Sequence, residues 1–148
     1  DVTQEINKIE SLFPNNIRVG LIHADLFKDN IFFNQHNQVS GIIDFFFTCS
    51  DSIVYDLATL VNAWFFSENL FSEIDFQLFI KKYFELIKWE DEEEKLFNFY
   101  LKASAIRFFL TRLYDLNFNN HGQVKHKNPI EFYEILHFHK KNNLQSFL

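Results

Sequence analysis

The stretch LIHADLFKDNIFFNQHNQVSGIIDF, from Leu21 to Phe45, decides how the rest of the chain is interpreted. It contains an aspartate, Asp25, which precedes Asn30 by five residues. A second aspartate, Asp44, follows Asn30 by 14 residues and comes directly after an apolar strand. Each of these three side chains has at least one oxygen atom that can accept a hydrogen bond or bind a hard metal ion.

A β-hairpin is predicted inside this stretch. Apolar strands over Asn30–Phe33 and Val39–Phe45 flank a polar turn at residues 34–38, which is the usual pattern of two paired strands. Because a hairpin doubles the chain back, we expect Asn30 at one end and Asp44 at the other to lie close enough to share one ion.

These residue types, in this order, are typical of phosphoryl transfer from ATP. The reaction needs a carboxylate that takes the proton of the acceptor hydroxyl, and two oxygen ligands for magnesium. The kinase template H-R-D-L-x-x-x-N followed by D-F-G supplies them, and it is matched in order by His23, Asp25, Leu26, Asn30, Asp44 and Phe45. Ala24 and Phe46 depart from the template, and no A-P-E triplet is present. The pattern therefore predicts a kinase for a small molecule rather than for a protein.

Four residues are the main site candidates. Asp25 is the candidate catalytic base, with an aspartate that caps a turn as the alternative. Asn30 and Asp44 are the candidate magnesium ligands, because Mg²⁺ needs few protein oxygens besides phosphate and water. Their alternatives are a strand-end asparagine and a turn aspartate. His23 is expected to assist catalysis by orienting the loop, since the base of the template is the aspartate.

Five further residues are weaker candidates. Asp56 could brace the catalytic loop by accepting its backbone N–H groups, or it could be an ordinary acid in the first turn of a helix. Lys28 could face a phosphate or be solvated. Asp51 could bind a substrate ammonium group or cap a helix. Arg107 and Arg112 could bind a substrate carboxylate bidentately, or they could form ion pairs on a helix surface.

Length and composition limit the other possibilities. The 148 residues fit one domain spanning 1–148, and an apolar content of 47%, with 21 phenylalanines, provides a sizeable core. The net charge of −6 and the lack of a basic cluster argue against nucleic-acid binding. No apolar run is long enough to span a membrane. The single cysteine, Cys49, suits a reducing cytoplasm.

The glycines predict that part of a kinase is missing. The three glycines, Gly20, Gly41 and Gly122, are too far apart to form a loop that cradles phosphate. A V-A-I-K-like strand with a phosphate-pairing lysine is lacking as well. We therefore expect a C-terminal catalytic lobe without the N-terminal lobe that grips ATP. The chain opens without Met, and we expect it to be a fragment of a longer two-lobe enzyme.

The fold is expected to be mainly α with a small β-hairpin. A strand is predicted at Val19–Ile22 and a polar connection at Asn117–Lys127. Capping residues and the helical spacing of apolar residues predict helices at Thr3–Phe13, Ile53–Phe66, Ser72 to about Lys88, Asp91 to about Tyr114, and Pro129 to about Lys141. The first is expected to have Thr3 as its cap and to stop at Pro14–Asn16. The second follows a cap at Asp51 or Ser52, and the last follows a cap at Asn128.

The chain resembles a known family along most of its length, from about Gly20 to about His139. The segments HADLFKDN, GIIDF, YDLATLVNAWFF, IRFFLTRLYDLNF and KNPIEFYEILHFH are similar to bacterial homoserine kinase of the aminoglycoside and choline phosphotransferase fold. The resemblance implies ATP and Mg²⁺ as cofactors, homoserine as the acceptor in a step toward threonine, and a separate N-terminal lobe as a partner. It also implies the following roles: Asp25 as base, Asn30 and Asp44 as magnesium ligands, and Asp56 as a structural aspartate.

Three functions stay open at this point. The chain could be the catalytic lobe of a homoserine kinase, weak or inactive alone. It could act on another hydroxyl substrate such as an aminoglycoside, choline or a sugar, or it could be a non-catalytic remnant. Arg107 and Arg112 lie among Phe and Leu residues, and this suits a substrate with a carboxylate better than an aminoglycoside, whose pocket would carry more acids.

Overall fold

Five α-helices and six short β-strands make up the part of the chain that the structure describes, residues 1–13, 17–118 and 126–148. The structure is a computed structural model. The helices are α1 (Val2–Ser11), α2 (Ile53–Trp64), α3 (Glu73–Leu86), α4 (Asp91–Phe118) and α5 (Pro129–Lys141). The strands are β1 (Val19–Ile22), β2 (Ile31–Phe33), β3 (Val39–Ile42), β4 (Cys49–Ser52), β5 (Phe66–Ser67) and β6 (Leu70–Phe71). Single 3₁₀ turns lie at Lys28–Asn30, Phe45–Phe47 and Leu144–Phe147. The prediction of a mainly α fold with a small hairpin is confirmed.

The strands pair two by two, and each pair is antiparallel. The predicted hairpin is formed by β2 and β3, with Ile31 opposite Ile42. β3 ends before the predicted Phe45, because Asp44 leaves the extended conformation for a left-handed one with φ 63° and ψ 61°. β1 has its predicted bounds and pairs with β4, with Val19 opposite Ser52. This second pair was not predicted, and it places β1 beside the first turn of α2.

Side-chain hydrogen bonds fix the first residues of α2 and α5. Of the two caps proposed for α2, Ser52 is the one used, since its Oγ accepts from the N–H of Val54 at 3.2 Å. Asn128 caps α5 as predicted by accepting from the N–H of Ile130 at 3.0 Å. Such a cap satisfies a backbone donor that the helix itself leaves unpaired, and it typically contributes about 1 kcal/mol.

Helix α1 begins earlier than predicted. Thr3 was expected to be its cap, but this prediction is wrong, because the carboxylate of Asp1 accepts from the N–H of Thr3 at 2.9 Å and the helix starts at Val2. The predicted stop at Pro14–Asn16 and residues 119–125 of the predicted polar connection lie outside the described residues.

Three other helices end at residues that differ from the prediction, and α3 ends at Leu86 rather than at about Lys88. α2 was expected to reach Phe66, but it ends at Trp64 because the next residues turn back on themselves as the β5–β6 pair. The turn of that pair uses Glu68 and Asn69, whose φ angles are 49° and 65°. α4 continues past Tyr114 to Phe118.

The core lies where α4 packs against α2 and α5. Its fully buried apolar side chains include Val61, Phe76, Phe97, Leu101, Phe132, Ile135 and Leu136. Burying a side chain of this size contributes roughly 1.5–3 kcal/mol. The three helices therefore form a rigid frame, and the loop that follows β1 lies on this frame.

Residues 19–47 carry many of the large apolar side chains that solvent reaches, and we call them the exposed apolar segment. Leu21 and Phe46 are 83% and 84% exposed, and Phe32, Phe45 and Val19 are each more than half exposed.

No helix among the described residues combines the length and the apolar character that crossing a membrane would require.

Candidate active site

The loop that leaves β1 is held from one side by the first turn of α2. The carboxylate of Asp56 accepts two backbone hydrogen bonds, from the N–H of His23 at 3.2 Å and from the N–H of Ala24 at 2.7 Å. Ala24 has a φ of 61°, a left-handed conformation that costs an alanine energy. The two hydrogen bonds are those expected of Asp56, and they fix the strained residue directly before Asp25.

Helix α4 holds the same loop from a second side. Nη1 of Arg107 donates to the carbonyl oxygen of Ala24 at 2.6 Å and to the hydroxyl of Tyr55 at 3.1 Å. Its guanidinium lies 5.0 Å from the ring centroid of Phe47 and 4.6 Å from that of Phe108. The sequence left a substrate carboxylate and a helix-surface ion pair open as partners of Arg107, and in the structure its guanidinium contacts the loop and Tyr55.

Asp25 and Asn30 contact each other at the two ends of the loop. Nδ2 of the buried Asn30 donates to the backbone oxygen of Asp25 at 2.8 Å and to its Oδ2 at 3.2 Å. Because the amide nitrogen faces Asp25, the amide oxygen of Asn30 points the other way. The indole N–H of Trp64 donates to the backbone oxygen of Leu26 at 2.9 Å, which anchors the loop to the end of α2.

The hairpin returns Asp44 to the same place. The N–H of Ile43 donates to the backbone oxygen of Asn30 at 3.0 Å, so the residue before Asp44 is paired with Asn30. Asp44 itself is exposed and begins the 3₁₀ turn Phe45–Phe47 in its left-handed conformation. The structure thus places Asp44 directly after a residue paired with Asn30, which contacts Asp25, and the charge of Asp44 is near enough to raise the pKa of Asp25.

His23 lies behind these side chains and is buried. Its Nε2 is 2.9 Å from the backbone oxygen of Ile43, and its ring centroid is 4.8 Å from that of Phe45. Since a carbonyl oxygen only accepts, Nε2 carries the hydrogen in this contact. Its Nδ1 is buried with no hydrogen-bond partner among the described residues. This geometry links the loop to the strand that leads to Asp44.

The charges around Asp25 shift its pKa in opposing directions. Burial has the largest effect and raises the pKa of Asp25 above its ordinary value. Arg107 lowers it, Asp44 raises it, and Lys127 lowers it, and the net shift is upward. A carboxylate with a raised pKa holds a proton more readily, so it is a better general base than an ordinary aspartate.

The donor atoms fit a magnesium ion. The amide oxygen of Asn30 and the carboxylate of Asp44 are hard oxygen donors, and Mg²⁺ is usually held by one or two protein carboxylates together with phosphate and water. Among the described residues there is no group of three or more His, Cys, Asp or Glu placed to hold a metal ion. Two protein donors of this kind suit an ion whose other ligands are phosphate and water.

Two of the weaker candidates, Arg112 and Asp51, have contacts of their own, and a third, Lys28, is exposed. Arg112 is buried, and its Nη1 donates to the backbone oxygen of Asn128 at 3.0 Å and to the carboxylate of Glu131 at 2.6 Å. Lys28 is exposed on the 3₁₀ turn that ends at Asn30. Oδ1 of Asp51 accepts from the N–H of Ser52 at 2.7 Å, next to the cap of α2.

One charged residue near Asp25 was not considered in the sequence analysis. Lys127 donates to the carboxylate of Asp29 at 2.7 Å, lies 5.1 Å from the ring centroid of Phe27, and lowers the pKa of Asp25. It lies 98 residues after Asp29 in the sequence, and no local pattern connects the two. Only the packing of α5 brings it to the loop.

The sequence of the chain is similar to one protein family and to curated proteins of that type. The model of the phosphotransferase enzyme family (APH) matches residues 1–84. The homoserine kinase of Rhodospirillum rubrum is 39% identical over 142 residues, which are 95% of this chain and 44% of that protein. The homoserine kinase of Bradyrhizobium diazoefficiens is 40% identical over 131 residues, which are 87% of this chain and 40% of that protein. The chain thus spans less than half the length of these curated relatives.

A solved structure is similar in fold. The ethanolamine kinase of Plasmodium vivax superposes with a TM-score of 0.65 at 22% identity, and the match covers 99% of this chain and 41% of that one. At this identity the likeness concerns the fold alone, and it extends over nearly every residue of the chain.

Proposed function

We propose, because this chain belongs to the phosphotransferase enzyme family, that it is the catalytic lobe of a kinase that phosphorylates the hydroxyl group of homoserine with ATP. The proposal rests mainly on the proximity of Asp25, Asn30 and Asp44. The loop that carries Asp25 is held by hydrogen bonds with Asp56 and Arg107. The acceptor is proposed from relatives that are named homoserine kinase and that align with 87–95% of the chain.

In the proposed reaction, Asp25 accepts the proton of the acceptor hydroxyl. The hydroxyl oxygen forms a bond to the γ-phosphorus of ATP, and the bond from that phosphorus to the bridging oxygen breaks. The products are ADP and phosphohomoserine, and the proton leaves Asp25 for solvent. The raised pKa of Asp25 supports this role, since a base is most effective when its pKa is near the working pH.

Asn30 and Asp44 would hold the magnesium ion through their oxygen atoms. When bound, the ion would neutralise charge that develops on the phosphate oxygens. The hydrogen bonds of Asn30 to Asp25 keep its amide oxygen directed away from the base. His23 keeps the strand before Asp44 against the loop through its contact with Ile43. Its proposed contribution is therefore positioning.

We place the nucleotide-gripping lobe outside this chain, as a second part of the enzyme that works in the cytoplasm. The exposed apolar segment supports this, because an exposed Leu21 and Phe46 are unfavourable in water and would be covered by such a lobe. Without that lobe the γ-phosphate lacks its clamp. Activity of the chain alone should be about 10³-fold or more below that of the two parts together.

A coupled assay of ADP release tests the proposal. The chain is assayed alone and joined to the part of the Rhodospirillum rubrum homoserine kinase that it does not span, with homoserine, choline or kanamycin as the acceptor. We expect turnover of homoserine in the joined enzyme, which we call the reconstituted enzyme. If choline or kanamycin were the preferred acceptor, it would replace homoserine in the proposal. No turnover with any of the three would favour a non-catalytic remnant.

The variant Asp25→Asn tests the base in the reconstituted enzyme. It should lower kcat by about 10² to 10⁴, while the exposed variant Asp91→Asn, in the first turn of α4, should leave kcat unchanged. Circular dichroism of both variants checks that the fold is intact. If Asp25→Asn retains the activity of the original chain, Asp25 is not the base.

A further inference from the structure

A cavity lies beside the candidate active site and is not explained by the roles proposed so far. Its volume is about 610 Å³, it is open to solvent, and it is lined by the catalytic loop, the end of α2, α4 and the residues before α5. We call it the corner cavity. The residues that matter for its chemistry are Phe27, Lys28, Asp29, Arg112, Lys127 and Glu131.

The corner cavity contains two ion pairs of different character. Arg112 and Glu131 are 2.6 Å apart, and the guanidinium is almost fully buried, 4.4 Å from the ring centroid of Phe132. The Arg112–Glu131 pair is therefore part of the lining of the corner cavity, with its guanidinium held in place by burial. Lys127 and Asp29 are 2.7 Å apart, and their side chains are 55% and 59% exposed. An exposed pair of this kind contributes little to stability because water screens it, so a ligand can open it easily.

The exposed pair is also adjacent to the base. Asp29 lies four residues after Asp25 and directly before Asn30, on the 3₁₀ turn Lys28–Asn30. Lys127 reaches the same turn from the residues before α5, and its Nζ lies 5.1 Å from the ring centroid of Phe27. The positive charge of Lys127 is close enough to lower the pKa of Asp25. A ligand held by this pair would therefore have its other end near Asp25.

We propose that the corner cavity binds the amino-acid end of the acceptor, with Lys127 receiving the α-carboxylate and Asp29 receiving the α-ammonium group. This inference rests on the proposed function and assigns the substrate contacts for it. Homoserine carries both charged groups at one end and its hydroxyl at the other. When it enters, the Lys127–Asp29 pair opens and each of the two side chains gains a new partner of opposite charge.

The balance of charge makes such a site selective. A zwitterion leaves neither Lys127 nor Asp29 without a partner. A ligand with only an ammonium group would leave Lys127 unpaired, and one with only a carboxylate would leave Asp29 unpaired. Lys28 adds a positive charge to the same cavity, which favours the carboxylate. An amino acid should therefore bind better than an amino alcohol of the same length.

Nuclear magnetic resonance titration of the ¹⁵N-labelled chain tests this site without requiring turnover. Three probes of matched length are used: L-homoserine, 3-amino-1-propanol, which lacks the carboxylate, and 4-hydroxybutyrate, which lacks the ammonium group. We expect L-homoserine to bind at least about tenfold more tightly than either analogue. Its largest amide shifts should fall at residues 27–29 and 126–128.

Two variants assign the two contacts. Lys127→Ala should weaken L-homoserine about tenfold and remove its advantage over 3-amino-1-propanol, because only the carboxylate contact is lost. Asp29→Asn should instead remove its advantage over 4-hydroxybutyrate. The control variants Lys82→Ala and Glu85→Gln break a comparable exposed ion pair on α3, 2.8 Å long, and should leave all three affinities unchanged.

The inference is overturned if both site variants bind L-homoserine as tightly as the original chain, or if the shifts map elsewhere, or if L-homoserine does not bind. The KM of the reconstituted enzyme separates this failure from failure of the proposed function. If homoserine is phosphorylated and its KM is unchanged in Lys127→Ala and Asp29→Asn, the kinase assignment stands and the corner cavity is not its substrate site.

Discussion

At the scale of single residues, the position of Asp25 depends on its neighbours more than on its own contacts. Ala24 is held in its left-handed conformation by Asp56 at its N–H and by Arg107 at its carbonyl oxygen. The peptide units that carry Asp25 are therefore fixed by two elements that are far apart in the sequence. Arg107 has a second effect, since its charge lowers the pKa of Asp25.

The variant Arg107→Gln should shift the pH dependence of the reconstituted enzyme. Loss of the positive charge raises the pKa of Asp25, so the acidic limb of kcat/KM should move to higher pH. Arg107→Lys keeps the charge but loses the planar fork, so it should lower kcat while leaving the acidic limb in place. If the limb stays where it is in Arg107→Gln, Arg107 acts on the shape of the loop alone.

At the scale of elements, three helices are joined by one buried chain of hydrogen bonds. Nε2 of His139 on α5 lies 2.7 Å from Oδ1 of Asn62 on α2, and Nδ2 of Asn62 donates to the backbone oxygen of Leu101 on α4 at 2.9 Å. His139 is 1% exposed. Because Oδ1 of Asn62 accepts, Nε2 of His139 carries a hydrogen in this contact.

This chain of hydrogen bonds predicts how stability depends on pH. Burial, together with a smaller effect of the charge of Lys102, lowers the pKa of His139 from 6.5 to about 3. The unfolded chain therefore binds more protons than the folded chain between these values. The stability that His139 contributes in its neutral form is fully present above pH 6.5. As pH falls from 6.5 toward 3, the free energy of unfolding decreases by up to about 1.4 kcal/mol per pH unit.

Urea unfolding between pH 7 and pH 4 measures this effect. His139→Gln keeps a donor for Asn62 but cannot titrate, so its stability should decrease less steeply with falling pH than that of the original chain. His137→Gln, on the same helix but partly exposed, should follow the original chain. Equal slopes for His139→Gln and the original chain would contradict the assignment of the effect to His139.

Helices were predictable from the sequence because their signals are local. The adjacent residues Asn128 and Pro129 mark the start of α5. The acidic residues that indicate the start of α4 lie in its first turn. The strand β4 was missed because CSDS lacks alternating apolar residues and its partner β1 lies about 30 residues earlier. The β5–β6 turn was missed because the apolar residues of α2 continue without a break into Phe66.

The main part of the candidate site was predictable for the same reason. Asp25, Asn30 and Asp44 lie within 20 residues of one another, and one hairpin brings them together. The contacts of Arg107 and Lys127 were not predictable, because they join residues that are 83 and 98 positions apart. Only the packing of α4 and α5 on the loop creates them.

At the scale of the whole molecule, exposed apolar side chains are abundant in the exposed apolar segment, residues 19–47, which includes Asp44. Leu21 and Phe46 are among the most exposed of them. Side chains that solvent already reaches contribute little to folding, but they favour contact with other apolar surfaces. Their effect should therefore appear in association rather than in stability.

The double variant Leu21→Lys with Phe46→Ser should reduce self-association of the chain and change the free energy of unfolding by no more than about 0.5 kcal/mol. Size-exclusion chromatography with light scattering measures the first quantity, and urea unfolding measures the second. Leu86→Lys, which alters an equally exposed leucine on α3 (87% exposed), is the control and should leave association unchanged. Equal association of the double variant and the original chain would show that other surfaces cause it.

The anchoring of the catalytic loop has a practical consequence for engineering. Asp56, Arg107 and Trp64, which hold the loop, all belong to these 148 residues. Under the proposed function, a second polypeptide need only bring the nucleotide, since the machinery that receives the proton is assembled beforehand. Such a division suits a split reporter, in which two proteins of interest are each fused to one half and phosphate transfer reports their encounter.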